Sequence, residues 1–241
     1  MRIAIIADIH GNLTSLDAVL SDLAGAGVDQ VVCLGDVAAT GPQPHETTER
    51  LRALGCAVVM GNADAALLRP VWLSPTDEEG RRFAEIDGWC AAQLTPEDRA
   101  YLRTFQPTLT VPLGTEDTLL CVHGSPRSNT EGIVATTPEV TLTQMMGGVS
   151  ARVMASGHTH VPFARRYRQI TLFNPGSVGL PYEMEQKGVR NPPWAEYALL
   201  DWRAGALGIE LRRVPINTVS VQQAALRSGM PHGAWWASGW R

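Results

Sequence analysis

The opening segment Met1–Asn12, MRIAIIADIHGN, leaves this chain few ways to fold. Ile3, Ile5 and Ile6 are β-branched residues in a continuous apolar run, the composition of a strand covered on both faces of its sheet. Asp8 and His10 stand immediately after the run, and Gly11-Asn12 lead into a helix. A strand that passes directly into a helix builds an α/β sheet, and such sheets gather ligands beyond the carboxyl ends of their strands. Two residues apart on an extended chain, Asp8 and His10 point to one side. A carboxylate and an imidazole aimed together can hold a divalent cation. Asp-x-His also arises by chance, so the later strand ends decide.

Asn12 or Ser15 caps a helix through about Ala26, with Leu16, Val19, Leu20 and Leu23 on its apolar face. A second strand, Gln30–Leu34, stops at Gly35-Asp36. The loop after it contains Gly41-Pro42 and Pro44, read here as excluding regular structure. A short helix, Glu46–Leu54, precedes a third strand, Ala57–Met60, which ends at Gly61-Asn62-Ala63-Asp64. These are two βαβ units with right-handed crossovers. Residues 70–106 read as a helical insertion, Glu78–Leu94 and Pro96–Phe105, placed as a roof on the active-site edge. Phe83, Ile86, Trp89 and Cys90 share one of its faces and read as core.

The β pattern returns from Leu109. Leu119–Val122 ends at His123-Gly124, Arg152–Ala155 ends at Ser156-Gly157-His158-Thr159-His160, and Gln169–Phe173 ends at Asn174-Pro175-Gly176-Ser177. Glu196–Trp202 and Leu207–Val214 form an antiparallel hairpin, and Val219–Arg227 a helix. The tail Gly229–Arg241, with Trp235, Trp236 and Trp240, docks on the body or on another subunit, and both stay open. Residues 1–241 read as a single domain, closed by a C-terminal helix and Trp-rich tail over about 217–241.

A net charge of −4 argues against strong nucleic-acid binding. The apolar run Ile3–Ala7 is too short for a signal peptide, and no later run spans a membrane. Cys33, Cys56, Cys90 and Cys121 form no Cys-x-x-Cys pair and read as reduced thiols of a cytoplasmic protein.

Collected, the strand-end residues are Asp8, His10, Asp36, Asn62, His123, His158 and His160, which include four of the six histidines. Burying these groups together without a cation would leave carboxylates unpaired, and a divalent metal site with N and O donors answers that problem.

In order and spacing these motifs resemble the calcineurin-like metallophosphoesterase family: Asp8-Ile9-His10, Gly35-Asp36, Gly61-Asn62, His123-Gly124 and Gly157-His158-Thr159-His160. The match runs from residue 3 to about 180. The resemblance implies a four-layer α-β-β-α sandwich of two mixed sheets flanked by helices. It implies a dinuclear metal-dependent phosphoesterase, hydrolysing phosphodiester bonds of small or nucleotide-like substrates by attack of a metal-bridging hydroxide. One metal would be held by Asp8, His10, Asp36 and His160, the other by Asp36, Asn62, His123 and His158. Manganese is placed first, with Fe, Ni, Co and Zn as alternatives. Gly35-Asp36 lacks the Asp-Arg-Gly continuation of protein phosphatases. The Gly41-Pro42-x-Pro44 and Asn174-Pro175-Gly176-Ser177 segments look instead like the small bacterial phosphodiesterases, with the second bordering the metal cleft.

One position departs from the pattern. Many members carry a His after Gly-Asn that protonates the leaving oxygen, and here it is Ala63. The readings are a substrate with a good leaving group, a donor from elsewhere such as His45, or a weak enzyme. The alternative function is a catalytically weak or inactive scaffold of this fold that binds a protein partner, as the retromer subunit resembling the family does.

Overall fold

β1 (Arg2–Ile6) is the middle strand of the first five-stranded sheet, ordered β12-β11-β1-β2-β3, and is covered on both faces. The protein is described here by a computed structural model over residues 1–69, 77–186 and 188–241. After β1, the Asn12 side-chain oxygen accepts the Ser15 N–H and starts α1 (Leu13–Ala24), which buries Leu16, Val19 and Leu23 against the sheet. β2 (Gln30–Cys33) lies parallel to β1. α2 (Pro44–Leu54) crosses to β3 (Ala57–Val58), which is parallel to β2. Pro44 thus begins a helix instead of excluding one. At the first helical position its fixed φ suits the helix, and its missing N–H has no partner inside a helix anyway. The third strand is two residues shorter than its apolar run: Val59 still donates to the Cys33 carbonyl at 2.9 Å while it bridges Gln106 on its other side.

α3 (Asn62–Leu68), absent from the sequence reading, follows at once. α4 (Glu78–Gln93) and α5 (Pro96–Leu102) pack on α2 and α3, so most of the expected roof is a buttress beside the sheet. Residues 70–76 of the expected insertion lie outside the described residues.

The second sheet is ordered β4-β5-β6-β8-β7. It comprises β4 (Thr108–Leu113), β5 (Asp117–Val122), β6 (Val153–Ser156), β7 (Phe163–Tyr167) and β8 (Ile170–Asn174), with α6 (Glu139–Met146) between β5 and β6. β5, β6 and β8 are parallel, while β4 and β7 run antiparallel at the edges. β9 (Glu183–Glu185) and β10 (Gly188–Arg190) form a small separate hairpin. β11 (Trp194–Arg203) and β12 (Ala206–Pro215) then return the chain to the first sheet, β11 antiparallel to β1. α7 (Thr218–Arg227) and α8 (Gly233–Ser238) close the chain.

Alternation along β1 assigns the layers. Ile3, Ile5 and Ala7 face Leu119, Cys121, Ala155 and Phe173 across the space between the sheets. Ala4 and Ile6 face the helices on the other side. The outer face of the second sheet is covered by α6 through Leu142 and Met146. Each fully buried Ile or Leu stabilises the sandwich by about 1.5–3 kcal/mol relative to exposure. The result is the expected α-β-β-α stack of two mixed sheets, in which five parallel strands, β1, β2, β3, β5 and β6, deliver their carboxyl ends to one edge.

The tail docks on the protein's own body. Trp236 and Trp240 are buried, and the Trp236 indole donates to the Thr40 carbonyl at 2.8 Å. All four cysteines are free thiols, and Cys33, Cys90 and Cys121 are buried. Among the described residues no helix is long and apolar enough to cross a membrane.

Candidate metal centre

All seven sequence-derived residues sit in the turns that leave those five strands. Asp8 and His10 follow β1, Asp36 follows β2, Asn62 opens α3 after β3, His123 follows β5, and His158 and His160 follow β6. The backbone differs from expectation. Asp8 and His10 do not alternate along an extended strand; Asp8, His10, Asp36, His158 and His160 all have φ between +48° and +68°. The left-handed conformation costs a residue with a side chain roughly 1–2 kcal/mol. It persists because neighbouring turns hold it: Asp8 N–H donates to Gly35 C=O at 2.9 Å, His10 to Asp36 at 2.9 Å, and Gly11 to Val37 at 2.8 Å.

The side chains fall into two clusters, Asp8–His10–His160 and Asp36–His123–His158, each with its donor atoms within 4.8 Å of one another. Asp36 joins them. Its Oδ2 is 3.3 Å from His123 Nε2 and 3.9 Å from His10 Nε2. Asn62 Oδ1 completes the second cluster, 2.9 Å from His123 Nε2.

The chemistry of these donors fits a pair of cations. His10 Nδ1 faces the Ala39 carbonyl at 3.0 Å, and His160 Nδ1 faces the Leu180 carbonyl at 2.8 Å. A carbonyl only accepts, so both Nδ1 atoms carry hydrogen and both neutral rings present an Nε2 lone pair. Those two Nε2 atoms lie 3.1 Å apart. Facing lone pairs repel; a metal cation bound to both removes the conflict, as does a proton on His160, whose imidazole burial works to lower and Asp8 raises. His123 repeats the device, with Nδ1 at 2.8 Å from the Leu34 carbonyl and Nε2 turned inward. Fixing the tautomer through the far nitrogen is how metal-binding histidines are commonly oriented.

The electrostatics follow from burial and pairing. Burial works to raise the Asp36 carboxyl, but His123 and then His10 hold it well below the carboxylate range. Burial works to lower the His123 imidazole, and Asp36 outweighs it, bringing His123 to about 10. His10 goes down to about 4, from burial first and the neighbouring His160 second. His158 is lowered by burial and His123.

Two supports hold the donors in place. Asp64 is fully buried, and its carboxylate accepts the backbone N–H of Asp36 at 2.7 Å, of Val37 at 2.8 Å and of Gly61 at 3.2 Å. It ties the second strand end to the third. Between the same turns Gly61 is obligatory, since a Cβ there would stand 2.0 Å from Asp36 Oδ1. The Asn174–Ser177 turn, expected to border the cleft, clamps it from behind. Asn174 Nδ2 donates to Gly157 C=O at 2.7 Å, and Ser177 Oγ donates to Asp8 C=O at 2.7 Å. For Asp64 the only sequence signal is a buried polar residue directly after a motif, whereas the Asn174–Ser177 turn stands out as a strand end.

His45 does not belong to the centre. It lies in the first turn of α2, with Nδ1 2.6 Å from Asp98 Oδ2 and Nε2 3.5 Å from Glu49. Nor is it simply exposed, because Asp98 is buried. Ala63 occupies the position after Asn62, 9% exposed, and its N–H donates to Asp36 Oδ1 at 2.8 Å.

Two hollows lie beside the centre. A cleft of about 620 Å³ adjoins His160, with walls that include Phe83, Tyr182, Arg190 and Trp235. A smaller hollow of about 260 Å³ adjoins His123 and is lined by Ser125, Arg127 and Asn129 among others.

Known proteins resemble this chain in sequence and fold. A metallophosphoesterase structure from Sphaerobacter thermophilus superposes with a TM-score of 0.76 at 29% identity, over 99% of this chain and 97% of that one. The uncharacterized protein MJ0912 of Methanocaldococcus jannaschii is 26% identical, over 95% of this chain and 93% of its own. Phosphodiesterase YfcE of Escherichia coli K12 is 28% identical, over 83% of this chain and 88% of its own. Residues 1–204 match the family model described as the calcineurin-like phosphoesterase superfamily domain. With its motifs at five strand ends and its two His/Asp clusters, the chain belongs to the calcineurin-like phosphoesterase superfamily.

Proposed function

We propose that the protein is a dinuclear metal-dependent phosphodiesterase acting on small or nucleotide-like substrates. The observation that carries this reading is the pair of clusters joined at Asp36 Oδ2, with one hollow adjoining His160 and another adjoining His123. Asp8, His10, Asp36 and His160 would hold one divalent ion; Asp36, Asn62, His123 and His158 would hold the other. Such a pair supplies Lewis acidity toward phosphoryl oxygens and a nucleophilic water at neutral pH.

The chain's own residues do the rest. Asp64 fixes the peptide that carries Asp36, and Ser177 fixes the peptide that carries Asp8. Two hollows suit a diester, whose phosphorus bears two substituents, better than a monoester, which would fill one of them. The likeness to phosphodiesterase YfcE supports the same choice. Ala63 offers no proton to the departing oxygen, which favours esters whose leaving group departs as a stable anion. Imidazole and carboxylate donors suit Mn²⁺, Fe²⁺, Ni²⁺, Co²⁺ and Zn²⁺, and Mn²⁺ is our first choice.

Hydrolysis of bis(p-nitrophenyl) phosphate, measured with each of these metals in turn, tests the reading. Turnover that depends on metal and is lost in Asp36→Asn supports it. No turnover with any of the metals overturns it and returns the chain to the scaffold alternative, a protein that keeps the fold to bind a partner.

A further inference from the structure

The cleft beside His160 is built from four segments of the chain. α4 contributes Phe83, the segment before β9 contributes Tyr182, β10 contributes Val189 and Arg190, and α8 contributes Trp235. None of these belongs to a metal-binding turn, yet all of them meet at the mouth of one. The Tyr182 ring centroid is 6.4 Å from that of His160.

The aromatic wall is held in place from behind. Phe83 packs edge-on to Trp235, with centroids 5.2 Å apart and planes at 71°. The Arg82 guanidinium lies 5.3 Å from the Trp235 centroid. Trp236, next in sequence, is buried and anchored to the Thr40 carbonyl. Ala39, one residue earlier, holds His10, so the aromatic wall and the metal centre share a rigid support.

The hairpin beside the cleft exposes two apolar side chains. Met184 and Val189 pair across the β9–β10 hairpin, and they are 74% and 56% exposed. Arg190, also on the hairpin, lines the cleft, opposite in charge to Glu79, and is itself paired with Glu185 at 3.5 Å. At about 620 Å³ the space falls within the roughly 300–1,000 Å³ usual for small-molecule sites.

We propose that this cleft is a subsite for a planar aromatic substituent of the phosphodiester, a nucleobase or a ring of similar size. The proposal rests on the phosphodiesterase reading and names its substrate class. Rings present flat polarizable faces that stack on aromatic side chains with little regard to hydrogen-bond pattern. A purely aliphatic or sugar substituent would leave Phe83, Tyr182 and Trp235 without that contact.

The test needs no turnover. Protein purified without added metal is titrated with adenosine and, separately, with ribose, and the indole N–H signals of the seven tryptophans are followed by NMR. The expected result is a saturable shift of the Trp235 signal with adenosine and none with ribose. Phe83→Leu should weaken the adenosine titration roughly tenfold or more, within the range of alanine substitutions at base-stacking aromatics. Trp235→Ala should weaken it similarly when read on the Trp236 signal, and Trp235→Phe should restore most of it. A flat titration with adenosine, an equal response to ribose, or unchanged affinity in Phe83→Leu overturns the proposal. An enzyme that fails to hydrolyse any diester would remove the phosphodiesterase reading and leave this binding result standing.

Discussion

Asp64 Oδ2 lies 2.7 Å from the backbone nitrogen of Asp36 and accepts its N–H, so a residue with no place among the metal donors fixes the one that joins the two clusters. Burial, and after it the neighbouring Asp36, brings Asp64 to about 7. Its three backbone bonds bind the second and third strand ends into one piece. Asp64→Asn must turn an NH₂ group toward at least one backbone N–H. The expected loss of stability is about 1–3 kcal/mol. The expected loss of metal affinity is roughly 10–100-fold, as for other groups that orient ligands. Thermal melts with and without metal, together with a metal titration, separate the two effects.

Metal stoichiometry should follow the division of the donors. Elemental analysis after reconstitution is expected to give two divalent ions per chain in the wild type. His160→Ala removes a donor from one cluster and His123→Ala from the other, and each should retain one tightly held ion. Asp36→Asn touches both and should weaken both. Equal loss in all three variants would mean that the clusters do not bind independently.

At position 63 the expected change is a gain. Ala63→His places an imidazole where no proton donor now stands, and the backbone N–H that serves Asp36 is untouched. General acids contribute roughly 10²–10⁴-fold where the leaving group needs a proton. The rate on an alkyl phosphodiester should therefore rise, while p-nitrophenyl release stays within a few-fold. The ratio of the two rates checks this.

The His45–Asp98 pair gives a pH dependence that owes nothing to metal. His45 is raised, first by its hydrogen bond to Asp98. Burial works to raise Asp98, but the His45 hydrogen bond holds it below its usual value. The histidine's contribution is complete below its unfolded value of about 6.5 and disappears as pH rises through the folded value. The aspartate's contribution is present above about 3.9 and is lost as pH falls through its lowered folded value. His45→Gln should flatten the fall in melting temperature between about pH 6 and 8, seen as a difference from wild type. With His45 about one-third exposed, solvent screening keeps the effect below about 1 kcal/mol.

What could be read from the chain, and what could not, divides along physical lines. The strand ends were legible because an apolar run must stop at a polar residue where the sheet edge meets the site; hence Asp8, Asp36, His123 and His158 stood out. α1 was legible from its apolar spacing and from Asn12. α3 was not, since Asn62–Leu68 has only seven residues, too few to show a helical period, and the Asp64 bond that caps it falls inside a metal motif. Pro44 was misjudged because the same residue that breaks a helix interior suits its first turn. β9 and β10 have three residues each, with one apolar side chain apiece, too short a stretch to establish a period. The cleft was invisible for a different reason: Phe83, Tyr182, Arg190 and Trp235 have no shared periodicity and meet only after the tail folds back.

The left-handed turns at Asp8, His10, Asp36, His158 and His160 carry a consequence for anyone who tries to toughen this protein. Glycine is the residue that relaxes such a turn, so at each of these positions the substitution that relieves the backbone also deletes a donor. Heat selection carried out without metal should therefore drift toward Gly at these positions and yield sturdier, inert chains. Thermal robustness and cation capture are set against each other at the same five backbone positions, and only selection in the presence of metal can improve both.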